Sequence, residues 1–176
     1  MNMDESELIK ATQSGDKNAF EKMLIPYKPK LQNFLTRMCN NPTTAEDMLQ
    51  ETMLNVYKNI SGFRGDSKFS TWLFQIATNN CRMLKRQKSE LDEPLSDNHE
   101  KGLHDKNIEK IENDAVLQEY LMKIPPIYRA AVILSDIEGF SAKEIAEMFN
   151  ISLENAKARI QRGRVMLVSS TKNTAA

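Results

Sequence analysis

The stretch that decides the fold lies near the C-terminus, where residues 141–168 read SAKEIAEMFNISLENAKARIQRGRVMLV. Ser141 and Glu144 have the spacing of a capping box, in which each side chain bonds to the backbone of the other at a helix start. A short apolar face follows over 145–149, and Ser152 is then placed to cap a second helix. Two helices joined by a short turn form a helix-turn-helix.

The second helix of this motif has an inner and an outer side. At about 100° per residue, Ala156, Ile160 and Gly163 fall together and are expected to face the core. The outer side and its flanks carry the candidate DNA contacts: Asn155, Lys157, Ala158, Arg159, Gln161 and Arg162. Gln, Asn and Arg can bond base edges, and Lys and Arg neutralise phosphates. A solvated helix with an ordinary basic face is the alternative, and the capped spacing favours DNA binding.

The N-terminal half is also predicted to be helical. Its predicted helices cover 4–14, 17–39 with an interruption near Pro26 and Pro29, about 44–59, and about 69–85. Thr43 and Glu46 have capping-box spacing before the strongest of these helices. Apolar residues then recur along one face from Ala45 to Tyr57. The other face carries polar side chains that include Asp47, Gln50, Glu51 and Asn55.

A second candidate DNA-binding region follows that helix. Residues 61–67 read SGFRGDS, a turn bounded by glycines, and the basic run RMLKRQK lies at 82–88. Between and beside them are dense aromatic and basic residues: Phe63, Arg64, Lys68, Phe69, Trp72 and Phe74. Aromatic rings interleaved with cations suit unpaired bases, which stack on the rings. Packing of Trp72 and Phe74 in a core is the alternative, and on these residues alone it is the stronger one.

The charge distribution divides the chain. The net charge of the 176 residues is zero, yet residues 1–88 carry 13 Lys and Arg against 9 Asp and Glu, and residues 125–176 carry 7 against 5. The segment between them carries 4 against 10. Residues 89–107 are polar, lack an apolar period and contain a proline and a glycine, so they are predicted to be a linker between a domain at 1–88 and another at 108–176.

The C-terminal domain is predicted to begin with a helix over 108–123. Pro125 and Pro126 end it, and Pro126 suits the first turn of the next helix, over about 127–137. The whole chain is thus predicted to be helix and loop.

Enzyme and metal sites are not indicated. The chain has no glycine-rich phosphate loop, and its two histidines, His99 and His104, lie in the predicted linker without Cys or carboxylate partners at ligand spacing. Cys39 and Cys81 have neither disulfide-framework nor zinc spacing and indicate thiols in a reducing cytosol. No apolar run approaches the roughly 18 residues of a membrane span. We therefore expect a cytoplasmic protein with no cofactor, metal or catalytic chemistry.

Two stretches resemble domains of extracytoplasmic-function sigma factors, the alternative promoter-recognition subunits of bacterial RNA polymerase. AEDMLQETMLNVYKNISGFRGDSKFSTWLFQIATNN, residues 45–80, resembles their domain 2. IPPIYRAAVILSDIEGFSAKEIAEMFNISLENAKARIQRGRVML, residues 124–167, resembles their domain 4. The two stretches follow the family's order and are joined by a variable linker. The resemblance implies an all-α fold of two small helical domains joined by a flexible acidic linker, and a protein that directs transcription initiation.

The resemblance also implies a role for each surface. The helix matching 45–59 docks on the clamp helices of the polymerase, which makes candidate contacts of Asp47, Gln50, Glu51 and Asn55. The region matching 61–82 melts the minus-ten element and captures a flipped base, for which the candidates are Phe63, Ser67, Lys68, Phe69, Asn79 and Arg82. The helix matching 153–166 reads the minus-thirty-five element as duplex through the outer residues already named.

The partners implied are core RNA polymerase, promoter DNA as duplex and as melted non-template strand, and an anti-sigma factor, with the chain itself a monomer. Two other classes remain open. A dimeric repressor would share the helix-turn-helix but would leave the 45–80 segment without a role. A sigma-mimicking regulator would share the helices, but it should lack the basic face of the second helix and carry a signal-receiver domain.

Overall fold

The computed structural model describes the backbone of residues 3–86 and 114–174 and the side chains of residues 3–81 and 114–171. Every described residue lies in a helix, turn or loop, which confirms the all-α prediction for that part of the chain. The chain divides into two compact units, residues 1–80 and 81–176. The predicted linker and its two histidines lie outside the described residues. No helix among those described is both long and apolar enough to cross a membrane.

Five helices and one 3-10 turn occupy the first described range. They are α1 (Glu5–Gln13), α2 (Lys17–Leu24), α3 (Lys28–Cys39), α4 (Pro42–Asn59), the 3-10 turn (Ile60–Gly62) and α5 (Phe69–Arg86). Helix α2 ends at Leu24 and α3 begins at Lys28, which confirms the interruption predicted near Pro26 and Pro29. A proline ring in a helix interior removes a hydrogen-bond donor and clashes with the preceding turn. Asp4 and Glu7 form a capping box at the start of α1, and Asp16 caps α2.

The predicted capping box at the start of α4 is wrong. The helix begins at Pro42, and the Asn41 side chain accepts a hydrogen bond of 3.0 Å from the backbone nitrogen of Thr44. Proline is favoured at the first helical position because its fixed φ suits the helix and its missing N–H would have no partner there. The cap therefore lies two residues earlier than Thr43.

The core of the first unit is built from the apolar faces of these helices. Phe34 of α3 meets Phe74 of α5 edge to face, with ring centroids 5.6 Å apart, and both side chains are fully buried. Leu73 and Ala77 of α5 are also buried, whereas Ile76 between them is half-buried. The Asn80 side chain donates to the buried Thr52 hydroxyl of α4 at 3.1 Å, which ties α5 to α4.

Four helices lie in the second described range: α6 (Asp114–Lys123), α7 (Pro126–Val132), α8 (Ala142–Phe149) and α9 (Leu153–Thr174). Pro126 lies in the first turn of α7, as predicted. A π-helical segment, Ile133–Ile137, continues α7. Helices α7 and α9 approach closely at Gly163, where an added Cβ would lie 2.3 Å from Val132 Cγ2 and 2.8 Å from the Tyr128 carbonyl oxygen.

Candidate nucleic-acid interfaces

The helix-turn-helix predicted over 141–168 is present. Ser141 and Glu144 form the capping box of α8, with the Ser141 nitrogen donating to the Glu144 carboxylate at 2.9 Å. Asn150 ends α8 in the left-handed conformation at φ 53°, which Asn tolerates better than most residues. The Ser152 hydroxyl then accepts from the Asn155 nitrogen at 3.2 Å, as an N-cap does at the start of α9.

Helix α9 has the inner and outer sides that its sequence predicts. Ala156, Ile160 and Gly163 are buried. Among the candidate DNA contacts, Asn155 and Lys157 are exposed, whereas Ala158, Gln161 and Arg162 are half-buried at the edge of the same surface. These five side chains form the outer surface of the helix and are called the α9 face below.

Arg159 is a correction to the predicted DNA contacts. Its side chain is only 8 % exposed, and its guanidinium lies over the Phe149 ring at 5.6 Å from the centroid. The helix wheel puts position 159 beside the buried side, and a long Arg side chain can bury its methylene stem while its charge faces a ring. Arg159 therefore joins α9 to α8 and is not part of the exposed surface of α9.

Two arginines of α9 are held by side chains from the preceding helical region. Arg162 Nη1 donates to the Tyr128 hydroxyl of α7 at 3.3 Å. Arg164 donates to both carboxylate oxygens of Asp136, from Nε at 2.7 Å and from Nη2 at 2.5 Å. The bond to Asp136 raises the pKa of Arg164, against the opposing effect of burial. The orientation of the α9 face is thus fixed by contacts with α7 and the π-helical segment.

An open groove lies beside the turn that precedes α5. It has a volume of about 370 Å³ and is lined by Gly62, Phe63, Arg64, Asp66, Ser67 and Trp72. The half-buried Phe63 ring contacts Trp72 at 5.2 Å and Phe69 at 5.7 Å between centroids. Gly65 turns the chain at φ 79°, a conformation that favours glycine. The groove therefore combines ring edges and faces with the charges of Arg64 and Asp66.

The predicted minus-ten contacts do not all reach this groove. Phe63 and Ser67 line it, and Lys68 and Asn79 are exposed. Phe69 is a correction: its side chain is 2 % exposed and packs edge to face on Tyr27, so it supports the groove from the core. The side chain of Arg82 lies outside the described residues.

Sequence reasoning missed part of the lining. Trp72, for which core packing was the stronger of two interpretations, is half-buried and lines the groove, and Asp66 was not singled out. Phe69 and Trp72 are three residues apart on α5, so their rings are neighbours. The Phe69 ring lies beneath the groove, and the Trp72 ring forms part of its wall.

The exposed face of α4 forms a third surface. Asp47, Gln50 and Glu51 are exposed, and Leu54, which sequence reasoning did not single out, is 53 % exposed beside them. Asn55 differs, because its amide donates to Asn80 at 3.0 Å and to Glu51 at 3.3 Å within the domain. Position 55 is thus engaged by its own chain.

The two halves of the chain match two parts of one class of transcription protein. The model of sigma-70 region 2 matches residues 24–90, and the model of sigma-70 region 4 matches residues 114–167. The second match contains the helix-turn-helix, and the first contains α4, the groove and all of α5. The fold is therefore that of a sigma-70-type initiation factor.

Individual relatives show which family within this class the chain belongs to. The chain is 33% identical over 172 residues to the ECF RNA polymerase sigma factor SigW of Bacillus subtilis, covering 90% of this chain and 92% of SigW. It is 33% identical to the RNA polymerase sigma factor CarQ of Myxococcus xanthus, covering 85% and 87%. The chain belongs to the extracytoplasmic-function family of RNA polymerase sigma factors. It directs transcription initiation as a non-enzymatic subunit that binds RNA polymerase and promoter DNA.

Solved structures agree on the fold. A chain in the structure of CnrH in complex with the cytosolic domain of CnrY matches with a TM-score of 0.71 at 22% identity, covering 94% of this chain and 96% of that chain. A chain in the co-crystal structure of the sigma factor RpoE with the anti-sigma factor NepR from Bartonella quintana matches with a TM-score of 0.66 at 24% identity, covering 87% and 96%.

Proposed function

We propose that this sigma factor recognises a bipartite promoter with two of the surfaces described above and binds the polymerase with the third. The α9 face reads the minus-thirty-five element as duplex, and the groove at Phe63 captures an unpaired base of the minus-ten element. The observation that carries the proposal is the groove itself, where half-buried Phe63 and Trp72 rings stand beside polar and charged side chains.

Duplex recognition falls to the outer side of α9. Gln161 and Arg162 have side chains that bond base edges in the major groove, and Lys157 has the charge to neutralise a phosphate. Asn155 lies in the first turn, where recognition helices contact bases, and Ala158 offers an apolar contact to a thymine methyl group. The capped start of α9 and the fixing of Arg162 by Tyr128 support this assignment.

Strand opening falls to the first domain. Unstacking a base costs a few kcal/mol of free energy per step. A non-enzymatic initiation factor must therefore offset that cost with the free energy of binding the exposed base. Phe63 is placed to stack on such a base, and Ser67 can bond its edge. Lys68 and Asn79 are exposed and suit the backbone of the non-template strand.

Polymerase binding falls to the α4 surface. Asp47, Gln50 and Glu51 are proposed contacts with the clamp helices, and Leu54 adds an apolar contact among them. Asn55 is proposed with them, its role being to hold Glu51 in place. An anti-sigma factor that covers this surface would keep the protein from polymerase. The co-crystal structure of RpoE with the anti-sigma factor NepR named above contains a relative of the fold with such a partner, which supports that expectation.

We further propose that the protein acts as a monomer in the cytoplasm, as two domains at 1–88 and 108–176 joined by a linker at 89–107. Run-off transcription with core polymerase and a promoter library tests the proposed function. Transcripts that require the added protein, with enriched motifs near minus thirty-five and minus ten, are expected. Binding of the free protein to a palindromic duplex, without transcripts, would overturn the proposal in favour of a dimeric repressor.

A further inference from the structure

A glutamine of α1 reaches across the first unit to the turn beside the groove. Gln13 Nε2 donates to the carbonyl oxygen of Ile60 at 3.0 Å and to that of Phe63 at 2.9 Å. These acceptors are 47 and 50 residues away along the sequence. One amide nitrogen therefore ties the start and the end of the 3-10 turn to α1.

The two bonds fix the backbone at the groove. The last carbonyls of a helical turn have no partner inside the turn and must find one elsewhere. The Ile60 carbonyl already accepts from the Phe63 nitrogen at 3.0 Å, so the bond from Gln13 uses its second lone pair. Phe63 itself is extended, with φ −73° and ψ 114°. Holding its carbonyl oxygen limits rotation of the backbone at Phe63 and thereby restrains the direction of the Cα–Cβ bond from which the ring projects.

Helix α1 supports the same rings from a second point. The Tyr27 hydroxyl donates to the Glu5 carboxylate of α1 in a short hydrogen bond. The Tyr27 ring meets Phe69 edge to face at 5.4 Å, and Phe69 meets Phe63 at 5.7 Å. Helix α1 is thus connected to Phe63 at both of its ends. Gln13, at its C-terminal end, bonds to the Phe63 backbone, and Glu5, at its N-terminal end, is connected to the Phe63 ring through Tyr27 and Phe69.

We propose that Gln13 is a positioning residue for minus-ten capture: it holds the turn and the Phe63 ring in the form that accepts an unpaired base. The inference rests on the proposed function of the groove. A preorganised loop loses less conformational freedom on binding than a mobile one, so its affinity is higher for the same contacts. Loss of Gln13 should therefore weaken capture of single-stranded DNA and leave duplex reading by α9 intact.

The experiment compares Gln13→Met with Gln32→Met in the full chain. Methionine has about the length of glutamine but donates no hydrogen bond. Gln32 is the control because its amide donates only weakly, at 3.4 Å, to Thr36 of its own helix. Trp72, the single tryptophan of the chain, lines the groove and reports on it by its fluorescence. Thermal unfolding of each variant checks that it folds.

Holoenzymes made with each variant are then titrated with two fluorescent probes derived from the promoter found in the library. One probe is duplex and ends between the two elements; the other carries the minus-ten element as single-stranded non-template DNA. We expect Gln13→Met to bind the second probe about tenfold more weakly, as two lost hydrogen bonds imply, with unchanged binding of the duplex probe. Its Trp72 emission should shift and be quenched more readily by acrylamide.

Unchanged Trp72 emission together with unchanged binding of the single-stranded probe would overturn the inference. Equal losses on both probes would also overturn it, since they indicate a general loss of folded protein. If Gln13→Met does not fold, Gln13→Glu replaces the donor by an acceptor, with Gln32→Glu as its charge-matched control, and the same outcomes apply. If the wild-type holoenzyme binds neither probe, the proposed function fails, and the Trp72 comparison still decides whether Gln13 positions the turn.

Discussion

Arg164 and Asp136 form a two-bond ion pair that joins α9 to the π-helical segment, with nitrogen–oxygen distances of 2.7 and 2.5 Å. The side chains are 27% and 13% exposed, so solvent screens the pair only in part. Such a pair orients the recognition helix, because a planar guanidinium bonded at two nitrogens has little rotational freedom.

Asp136→Asn should therefore lower the free energy of unfolding by about 1–2 kcal/mol, less than the roughly 3–5 kcal/mol lost when a fully buried pair is broken. Chemical denaturation measures the change. The control is Glu119→Gln, which breaks the exposed i,i+4 pair with Lys123 and should cost about 0.5 kcal/mol or less. Equal effects in the two variants would contradict a special role for Asp136.

Gly163→Ala should lower the free energy of unfolding by about 1–3 kcal/mol, the usual range for overpacking, although alanine is the better helix former. The new Cβ would lie 2.8 Å from the Tyr128 carbonyl oxygen, and a backbone atom cannot rotate away. Gly62→Ala is the control, since nothing lies within 4 Å of the Cβ it would add. Thermal denaturation compares the two; a Gly163 variant as stable as wild type would refute the close packing of α7 and α9.

Arg162→Ala should abolish transcription from a promoter that depends on its minus-thirty-five element, because the variant loses the proposed base-edge contact, a kind of contact worth about 1–3 kcal/mol of discrimination. Association with core polymerase should stay at the wild-type level. Run-off transcription and co-elution with core polymerase measure the two properties. Normal transcription would remove Arg162 from the DNA contacts.

Asn79→Ala should allow a closed promoter complex and impair its opening. Asn79 is exposed on α5, the helix that also carries Trp72, and it is proposed to contact the backbone of the non-template strand. Permanganate reactivity of the thymines in the bubble measures opening, and a gel shift measures the closed complex. Wild-type reactivity of the bubble thymines would argue against a role for Asn79 in melting.

Tyr27 gives the first unit a specific sensitivity to alkaline pH. Burial raises the pKa of Tyr27 above its usual value of 10.0, and the hydrogen bond to Glu5 and its charge raise it further. The folded state thus holds the proton more tightly than the unfolded state, so this contribution to stability is present below about pH 10 and is lost as the pH rises further. Tyr27→Phe should show a smaller loss of unfolding free energy between about pH 9 and 11 than wild type.

The parts of the fold that short motifs determine were predictable from the sequence. Ser141 and Glu144 cap α8 as predicted, because both partners of a capping box lie within one turn. The start of α4 was mispredicted because two signals overlap there, and the signal from Asn41 and Pro42 prevails over the one from Thr43. Local patterns of this kind fix helix starts but not the neighbours of a side chain.

The parts of the sites that depend on distant residues were less predictable. Arg159 carries the charge of a DNA contact, and only its packing on Phe149 removes it from the surface. Phe69 and Trp72 have similar side chains in one helix, and tertiary packing alone decides which of them lines the groove. The contact of Gln13 with Phe63 spans 50 residues and leaves no periodic signal in the sequence.

The π-helical segment Ile133–Ile137 makes the number of residues between α7 and α8 matter as much as their identity. The Glu138 nitrogen donates to the Ile133 carbonyl oxygen, five residues back, at 2.9 Å. An α-helical bond reaches back only four residues, so the segment holds one residue more than an α-helix of the same span. Removing that residue would let the turn close as ordinary α-helix with α8 and α9 nearly in place, whereas removing one from the α-helical part of α7 would rotate them by about 100°.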